Sequence, residues 1–437
     1  MWAYLSSKMK NIYSCEGKKN KARGRESMDK KRRIAVIFGG QSTEHEVSRV
    51  SAESVVRNIN RDKYDVVMLG ITKDGRWLSY DGPVEKLGTG EWQAIAEAKA
   101  LERMKAPVGR TQAPACNAVN VGEEAYTEAE GENSAGCPAQ KGILRYVLSV
   151  NSARSILMAA GAENGNRKID VAFPVLHGCN GEDGTIQGLF ELAGIPYVGS
   201  GVLGSALGMD KAYAKIIFEK EGIPQGKYLV FSRSEINRGM DEAVEKVEAV
   251  FSYPCFVKPS SAGSSVGITK ARDRKGLAEG LMLALKYDRR VLVEEFINGR
   301  EIECAVLGND DPAASTVGEI IPCNEFYDYN AKYGSEGASQ IMIPAKLPEE
   351  TARKIRTYAV KAFKVLDCAG LARVDFFVGR ETGEVYINEI NTMPGFTSIS
   401  MYPKLWEASG IPYPELIDRL VELAVERFEE NRREVEI

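Results

Sequence analysis

Four polar residues near the C-terminus have the types and spacing to bind a metal ion. Arg373 and Asp375 belong to one short apolar segment, Glu389 and Asn391 belong to another, and the turn-like stretch 379–383 separates the two. This pattern predicts a β-hairpin that brings Asp375 opposite Glu389. Buried carboxylates need a positive partner, and carboxylate and amide oxygens suit Mg²⁺, which proteins usually share with substrate phosphates. The alternative, a solvated polar face, is disfavoured by the apolar neighbours.

A loop rich in small residues follows Lys258, the last residue of an apolar segment. Residues 259–267 read Pro-Ser-Ser-Ala-Gly-Ser-Ser-Val-Gly. Backbone N–H groups in such a loop can turn toward a phosphate, and the lysine adds a point charge. The Gly-Lys-Ser/Thr end of a Walker A loop is missing. A flexible surface turn is the other interpretation, but a lysine that ends an apolar strand generally has an anionic partner.

Two further segments carry weaker signals for ligand binding. Segment 291–297 becomes polar at Glu294 and Glu295, so it is either an edge strand or a hinge that offers backbone groups and a carboxylate to adenine and ribose. The loop 327–334 mixes tyrosines with charged residues. It is either a surface loop or a lid that closes over substrate and excludes water.

The two histidines of the chain both lie in glycine-rich loops next to acidic residues. His45 follows the first predicted strand, and His177 follows the third. Open α/β sheets bind ligands at the carboxyl ends of their parallel strands, so His177 is predicted to be functional. For His45 a structural role is favoured. The dinucleotide fingerprint Gly-x-Gly-x-x-Gly is absent, which weighs against a dinucleotide-dependent enzyme.

Strand and helix patterns alternate along the chain. In the N-terminal part, apolar segments are separated by helical stretches, which indicates a parallel α/β sheet. The stretch 82–165 interrupts this pattern and is either a functional insertion or a mobile surface excursion. The predicted strands are 34–38, 64–71, 169–176, 228–231, 255–258 and 291–295, and the predicted helices include 234–250, 350–366 and 413–430.

Composition and charge narrow the class of protein. The 437 residues allow about two to four domains, and 44% hydrophobic with 27% charged residues is ordinary for a soluble protein. No apolar run is long enough to span a membrane. The part of the chain after the basic N-terminal residues has a net negative charge, which gives no reason to expect nucleic-acid binding. Residues 1–30 are basic, lack the apolar core of a secretory signal and are predicted to be disordered. Eight cysteines without CxxC spacing predict reduced core thiols in a cytoplasmic protein.

Taken together, these motifs resemble the ATP-grasp superfamily and, within it, the D-alanine–D-alanine ligase family. Three motifs are individually specific: His-Gly-x-x-Gly-Glu-Asp-Gly from His177, Tyr-Asp-Tyr-x-Ala-Lys-Tyr from Tyr327 and Asn-Thr-x-Pro-Gly-Phe-Thr-Ser from Asn391. The resemblance runs from about Ile34 to the C-terminal helix and is broken by the stretch 82–165.

The resemblance implies an α/β fold of the ATP-grasp type (α+β). After the disordered extension 1–30, an N-terminal parallel α/β domain at 31–205 would bind substrate. Two ATP-grasp domains, a central one at 206–297 and a C-terminal one at 298–437, would sandwich the nucleotide. The family usually forms homodimers, so a homodimer is the expected assembly.

A nucleotide and metal site is also implied. Lys211 and Lys258 would contact the ATP phosphates, with Ser264 and Ser265 in the loop that closes over them. The residues that would hold adenine and ribose are Glu294, Glu295, Phe296, Ile297 and Glu301. The residues that would bind two Mg²⁺ or Mn²⁺ ions per site are Asp375, Glu389 and Asn391.

The same resemblance implies sites for two amino acids. Glu44 would receive the ammonium of the first D-alanine beside His177, in a hydrogen-bonded set with Ser264 and Tyr333. Arg373 and the Gly395 backbone N–H would face a developing oxyanion, which preorganised donors stabilise. The residues that would hold the carboxylate of the second substrate, or line its site, are Lys332, Ser400 and Met401.

The implied reaction is the ATP-dependent joining of two D-alanines through an acyl phosphate, for peptidoglycan precursor synthesis. Tyr333, and Met401 after Ser400, favour D-alanine over D-serine or D-lactate as second substrate. A ligase for a different carboxylate should lack the motifs of Glu44 and His177, which are present. A nucleotide-binding regulator without catalysis should lack a metal ligand or the arginine, and none is missing.

Overall fold

The structure, a computed structural model, describes residues 31–105, 168–263, 266–321 and 340–432, without the side chains of 103–105. Three predicted segments lie outside the described residues: the extension 1–30, the greater part of the stretch 82–165 and the loop 327–334. Four predicted site residues also lie outside them. These are Ser264, Ser265, Lys332 and Tyr333.

The first β-sheet belongs to the N-terminal part of the chain. Its strands and helices are β1 (Arg32–Gly39), β2 (Tyr64–Ile71), β3 (Trp77–Tyr80), β4 (Val171–Pro174), α1 (His45–Asn58), α2 (Glu85–Thr89), α3 (Trp92–Lys105) and α4 (Thr185–Ala193). The strand order is β3-β2-β1-β4, and β2, β1 and β4 are parallel. Because α1 and α4 pack on opposite faces of β1, this strand is apolar on both faces. The predicted parallel α/β sheet is confirmed.

The helices α2 and α3 occupy the beginning of the stretch 82–165. Trp92 opens α3 and is fully buried, with its ring centroid 4.8 Å from that of Phe38 and 6.4 Å from that of Tyr80. Gly70 on β2 provides the space, because a Cβ atom there would lie 2.1 Å from the Trp92 ring. The described part of this stretch is therefore part of the core of the first sheet.

The second sheet is antiparallel and small. Its strands and the helices around it are β5 (Tyr228–Ser232), β6 (Cys255–Pro259), β7 (Thr269–Ala271), β8 (Arg290–Glu295), α5 (Val202–Met209), α6 (Lys211–Lys220), α7 (Arg233–Arg238), α8 (Met240–Glu248) and α9 (Arg274–Ala284). The strand order is β5-β8-β6-β7. The prediction of a single helix at 234–250 is wrong, because Gly239 adopts an extended conformation that separates α7 from α8.

The third sheet contains the predicted hairpin. Its strands and helices are β9 (Gly299–Gly308), β10 (Ala313–Ile321), β11 (Gln340–Met342), β12 (Gly370–Gly379), β13 (Val385–Asn391), α10 (Glu349–Val365), α11 (Met401–Ala408) and α12 (Tyr413–Glu430). The order is β11-β10-β9-β12-β13, and all neighbours are antiparallel. The hairpin and the helices predicted at 350–366 and 413–430 are confirmed.

Shared packing and backbone hydrogen bonds fix the sheets relative to one another. One apolar core includes residues of β1, β4, β9, α11 and α12. Phe396 lies inside it, with ring centroids 6.0 Å from Phe173 and 5.4 Å from Tyr402. The second and third sheets are joined where the Ile387 N–H donates to the Pro224 carbonyl at 2.8 Å.

The described cysteines and helices test two further expectations. Cys255, Cys304 and Cys368 are buried free thiols, as predicted, but Cys179 is exposed. Within the ranges that the structure describes, no helix is long and apolar enough to cross a membrane.

We expect Trp92→Ala to destabilise the protein by about 3–5 kcal/mol, because it leaves a cavity against Phe38 and Gly70. The measurement is urea unfolding followed by circular dichroism. The control is Leu192→Ala, which truncates a side chain that is 75% exposed and should change stability by no more than about 0.5 kcal/mol. Equal urea midpoints for the two variants would contradict the packing described for α3.

Candidate active site

The ends of elements from all three sheets surround a cavity of about 440 Å³. Its wall is formed by the loops after β1 and β4, the start of α6, the hairpin β12–β13 and the start of α11. The predicted site residues that line it are Glu44, His177, Lys211, Arg373, Glu389, Asn391, Gly395, Ser400 and Met401.

A β-bulge in the hairpin brings neighbouring polar residues of β13 to the same region. Asp375 pairs directly with Glu389, as predicted, but the register shifts immediately after Asp375. In a regular strand Asn388 would face away from Glu389. With the extra residue of the bulge, the Asn388 Oδ1 atom lies 3.4 Å from Lys258 Nζ, while Glu389 Oε2 lies 3.7 Å from Lys211 Nζ.

Arg373 connects two buried carboxylates beside the cavity. Its Nε and Nη2 atoms donate to the two carboxylate oxygens of Asp375, each at 2.7 Å. The same Nε lies 3.0 Å from Glu303 Oε2. Burial opposes the charged guanidinium, but the charges of Asp375 and Glu303 outweigh it and hold the pKa of Arg373 well above its usual value. Glu303 was not predicted from the sequence, although it shares a strand face with the predicted Glu301 two residues earlier.

The predicted metal ligands have suitable chemistry for Mg²⁺ or Mn²⁺. Asp375, Glu389 and Asn391 provide two carboxylates and an amide oxygen, and the Asn391 Nδ2 group donates to Asp375 at 3.0 Å. In the part of the chain that the structure describes, no group of three or more His, Cys, Asp or Glu side chains is arranged to hold a metal. A site with two carboxylates fits Mg²⁺, which usually takes its remaining ligands from water and substrate phosphates.

The two predicted phosphate-binding lysines lie near this hairpin. Lys211 opens α6 and donates through Nζ to the Ala262 carbonyl at 2.8 Å. Lys258 is the next-to-last residue of β6, and its Nζ lies 2.5 Å from Glu294 Oε2. Lys215 places its own Nζ 2.9 Å from Glu294 Oε1, so one carboxylate serves two lysines. Lys215 was missed, although it lies one helical turn after Lys211.

The carboxylate of Glu294 and the lysine Lys258 stabilise each other's charged forms. Burial would raise the pKa of Glu294, but Lys215 and Lys258 outweigh it and lower that pKa to about 2. Burial likewise disfavours the charged form of Lys258, yet the charges of Glu294 and Glu389 leave its pKa above the ordinary value. The predicted anionic partner of Lys258 is thus observed.

The residues predicted to hold adenine and ribose lie outside the 440 Å³ cavity, beyond Lys258. The Glu295 Oε1 atom accepts the Lys227 N–H at 2.7 Å. The Phe296 side chain is 41% exposed, and Lys270 Nζ lies 4.6 Å from its ring centroid. A Cβ atom on Gly226 would lie 3.1 Å from the Ile297 side chain. Glu301, on β9, contributes to the raised pKa of Lys258.

Glu44 is buried where three loops meet. A Cβ atom at Gly178, which has φ +73°, would lie 2.3 Å from Glu44 Oε2, and one at Gly263 would lie 2.5 Å from the same oxygen. Glycine at both positions therefore allows the backbone to approach the carboxylate. Gly263 immediately precedes Ser264, the predicted partner of Glu44.

His177 uses both ring nitrogens to connect the loop after β4 to other elements. Its Nδ1 atom lies 2.9 Å from the Met393 carbonyl, and its Nε2 atom lies 3.0 Å from Ser51 Oγ. A carbonyl only accepts, so Nδ1 carries the proton and Nε2 accepts from the serine. Burial lowers the pKa of His177, which favours this neutral form. The other predicted loop histidine, His45, is also buried, and its Nδ1 contacts the Gly40 carbonyl.

Glu182 is a part-buried carboxylate that was not predicted as a site residue from the sequence. It belongs to the glycine-rich motif of His177, which was the available signal. Its oxygens accept the Gly178 N–H at 2.8 Å and the Met393 N–H at 2.9 Å, so it joins the loop after β4 to the loop after β13. Burial and the charge of Glu44 raise its pKa to about 8.

The loop after β13 ends at the N-terminus of α11. The Ser400 Oγ atom accepts the Thr397 N–H at 3.0 Å and lies 2.7 Å from the Thr397 hydroxyl. A Cβ atom at Gly395 would lie 2.8 Å from Ser400 Oγ. Met401 is buried and contributes an apolar side chain to the cavity wall.

Comparison with known proteins shows the family of this chain. The model described as D-ala D-ala ligase N-terminus matches residues 33–200, and the one described as D-ala D-ala ligase C-terminus matches residues 217–422. The chain belongs to the D-alanine–D-alanine ligase family. Members carry out ATP-dependent ligation for peptidoglycan synthesis and use a divalent metal ion.

Two curated relatives have most of their length in common with this chain. The D-alanine–D-alanine ligase of Ruminiclostridium cellulolyticum is 62% identical over 405 residues, which cover 92% of this chain and 98% of the relative. That of Acetivibrio thermocellus is 60% identical over 407 residues, which cover 93% and 99%.

Two solved structures share the fold, which is of the predicted ATP-grasp type. The D-alanine-D-alanine ligase of Coxiella burnetii has a TM-score of 0.68 and 34% identity, and the match covers 92% of this chain and 95% of that one. The D-Ala:D-Ser ligase of Enterococcus faecalis has a TM-score of 0.70 and 38% identity, and the match covers 90% and 100%.

The raised pKa of the Glu182 carboxyl predicts a pH dependence of stability. Its pKa is about 8 in the folded protein and 4.5 ordinarily, so between these values the folded state binds more protons than the unfolded state. The unfolding free energy contributed by this group therefore falls as pH rises from 4.5 to 8. In Glu182→Gln the contribution is absent, so we expect the variant to gain stability relative to the parent protein over this interval.

Urea midpoints at pH 5, 6.5 and 8 measure this difference. Glu350→Gln, in the exposed first turn of α10, is the control and should follow the parent protein at each pH. A difference between Glu182→Gln and the parent that stays constant with pH would show that Glu182 does not titrate in this range.

Proposed function

We propose that this protein joins two D-alanines to D-alanyl-D-alanine with ATP, as a step in peptidoglycan precursor synthesis. One observation carries the proposal: residues predicted to bind phosphate, metal and amino acid all line a single cavity. They are Lys211, Glu389, Asn391, Arg373, Glu44 and His177. The family membership supports the same reaction.

In the first step, a carboxylate oxygen of the first D-alanine attacks the γ-phosphorus of ATP. The bond between that phosphorus and the ADP oxygen breaks, which yields an acyl phosphate and ADP. The protein contributes position and positive charge, which is most of what phosphoryl transfer requires. Lys211 and Lys258 bind the phosphates, and Glu44 binds the ammonium of this D-alanine.

In the second step, the ammonium of the second D-alanine releases one proton to water, and the resulting amine attacks the acyl carbon. The resulting tetrahedral oxyanion is stabilised by Arg373 and the Gly395 N–H, and the C–O bond to phosphate then breaks. The second proton of the attacking nitrogen leaves with the departing phosphate. The neutral His177 keeps the substrate wall in place, because both of its nitrogens are held by Ser51 and Met393. A proton-transfer role for His177 is not part of this proposal.

The metal site completes the phosphate side. Asp375, Glu389 and Asn391 would hold two Mg²⁺ or Mn²⁺ ions per site, and a bound ion neutralises charge on the transferred phosphoryl group. Glu294, Glu295, Phe296, Ile297 and Glu301 would form the adenine and ribose site. Ser264, Ser265, Lys332 and Tyr333 would close over the substrates.

Further features of the organisation are proposed with the same function. The domains would be 31–205, 206–297 and 298–437, preceded by the extension 1–30. The protein would act as a homodimer in the cytoplasm, with small molecules as substrates and without nucleic-acid or membrane partners.

A D-Ala:D-Ser ligase is the second candidate, because the structure of such an enzyme from Enterococcus faecalis has a TM-score of 0.70 with this chain. D-Alanine is favoured by the apolar side chain of Met401 directly after Ser400, since a methyl group suits an apolar wall and a hydroxymethyl group needs a polar partner. Tyr333 in the predicted lid motif also favours D-alanine as the second substrate.

Product analysis tests the reaction and the second substrate together. The purified protein is incubated with ATP, Mg²⁺ and D-alanine, alone or with D-serine or D-lactate, and the products are identified by mass. We expect D-alanyl-D-alanine with phosphate release, and an excess of it in each mixture. A preferred mixed product would refute the specificity, and no turnover with any D-amino acid would refute the function.

The double variant Asp375→Asn, Glu389→Gln should lose ATP-dependent dipeptide formation. Removal of two metal ligands should cost more than the ~10–100-fold that is typical for loss of a residue behind the ligands. The control is Glu384→Gln, in the exposed turn of the same hairpin, which should leave the rate unchanged. Dipeptide formation at the parent rate in the double variant would refute the metal site.

A further inference from the structure

Glu303 is a buried cavity-wall carboxylate to which the proposed reaction gives no role. It is 2% exposed and lies on β9 directly opposite Asp375 of β12, which in turn pairs with Glu389 of β13. Three carboxylates thus form a row across three neighbouring strands. Such a row is unfavourable unless cations compensate it.

Arg373 is shared between two members of this row. Its Nε atom lies 2.7 Å from an oxygen of Asp375 and 3.0 Å from an oxygen of Glu303, and its Nη2 atom binds the other oxygen of Asp375. The guanidinium is therefore placed between a carboxylate on each of two strands.

The metal site creates a conflict that Glu303 can resolve. Asp375 would bind a divalent ion, and the same carboxylate binds Arg373, so the guanidinium and the metal compete for its oxygens and repel each other. A second buried carboxylate on the guanidinium reduces this competition. Without it, Arg373 would lose its contact with Glu303 at 3.0 Å and keep its two-point contact with Asp375.

We propose that Glu303 is a positioning residue that holds Arg373 beside the cavity and thereby leaves Asp375 available to the metal ion. This inference rests on the metal site of the proposed function. It predicts that loss of the Glu303 charge weakens metal binding as well as catalysis, because Arg373 then binds Asp375 alone.

The third sheet contains a matched control for this proposal. Glu319 on β10 is also buried and makes a two-point contact with Arg300, with distances of 2.7 and 2.6 Å, but neither residue lines the cavity. A purely structural role would give Glu303→Gln and Glu319→Gln similar consequences, since each removes the charge from a buried Glu–Arg pair.

The test compares Mn²⁺ binding to the parent protein, Glu303→Gln and Glu319→Gln in the presence of a non-hydrolysable ATP analogue, by electron paramagnetic resonance. We expect the Mn²⁺ dissociation constant to rise about 10–100-fold in Glu303→Gln, the range for residues behind metal ligands, and to stay unchanged in Glu319→Gln. The kcat of dipeptide formation should fall in Glu303→Gln and stay unchanged in Glu319→Gln. Urea midpoints record whether each variant is folded.

An unchanged Mn²⁺ dissociation constant in folded Glu303→Gln would overturn the inference, even if activity fell. Should that variant not fold, Glu303→Asp takes its place, because the shorter side chain retains the charge but withdraws it from Arg373. We expect severalfold weaker Mn²⁺ binding there, and parent-like binding would overturn the inference. Failure of the parent protein to form dipeptide would refute the proposed function separately, since the Mn²⁺ comparison needs no turnover.

Discussion

The sharing of Arg373 between Asp375 and Glu303 is the interaction on which the rest of the site depends. Carboxylates on adjacent strands of a buried sheet repel one another, and the guanidinium makes their arrangement tolerable. The same arrangement is incomplete without further positive charge near Glu389. Lys211 supplies part of it, and in the proposed function a divalent ion would supply the rest. The charges of the hairpin are therefore consistent with the proposed cation site.

The amino-acid side of the cavity depends on close contacts between loops that are distant in sequence. Glu44 fits only because Gly178 and Gly263 lack side chains. Glu182 and His177 each bind backbone groups of Met393, more than 200 residues away in the chain. These contacts connect the first sheet to the loop after β13. The residues proposed to bind substrate, from the N-terminal and C-terminal parts, are therefore held together by these contacts.

On the proposed phosphate side, Lys215 and Lys258 share a single carboxylate, that of Glu294. The two lysines stabilise the ionised form of Glu294, and Glu294 in turn stabilises the ionised form of Lys258. A buried pair of this kind contributes little net stability because desolvation offsets the attraction. Lys258 is thereby ionised and lies 3.4 Å from Asn388 Oδ1, where the proposed function would place a phosphate.

The sequence by itself determined the elements and the type of chemistry. Strand alternation placed Asp375 opposite Glu389, apolar segments marked the parallel sheet, and three specific motifs indicated the family. These features are local, because they depend on periodicity and on residues adjacent in the chain. Only the tertiary structure decided that Glu303 and Asp375 share Arg373, that a bulge turns Asn388 toward Lys258, and that Glu182 reaches Met393. Such contacts join separate strands and loops, and no spacing in the sequence records the distance between them.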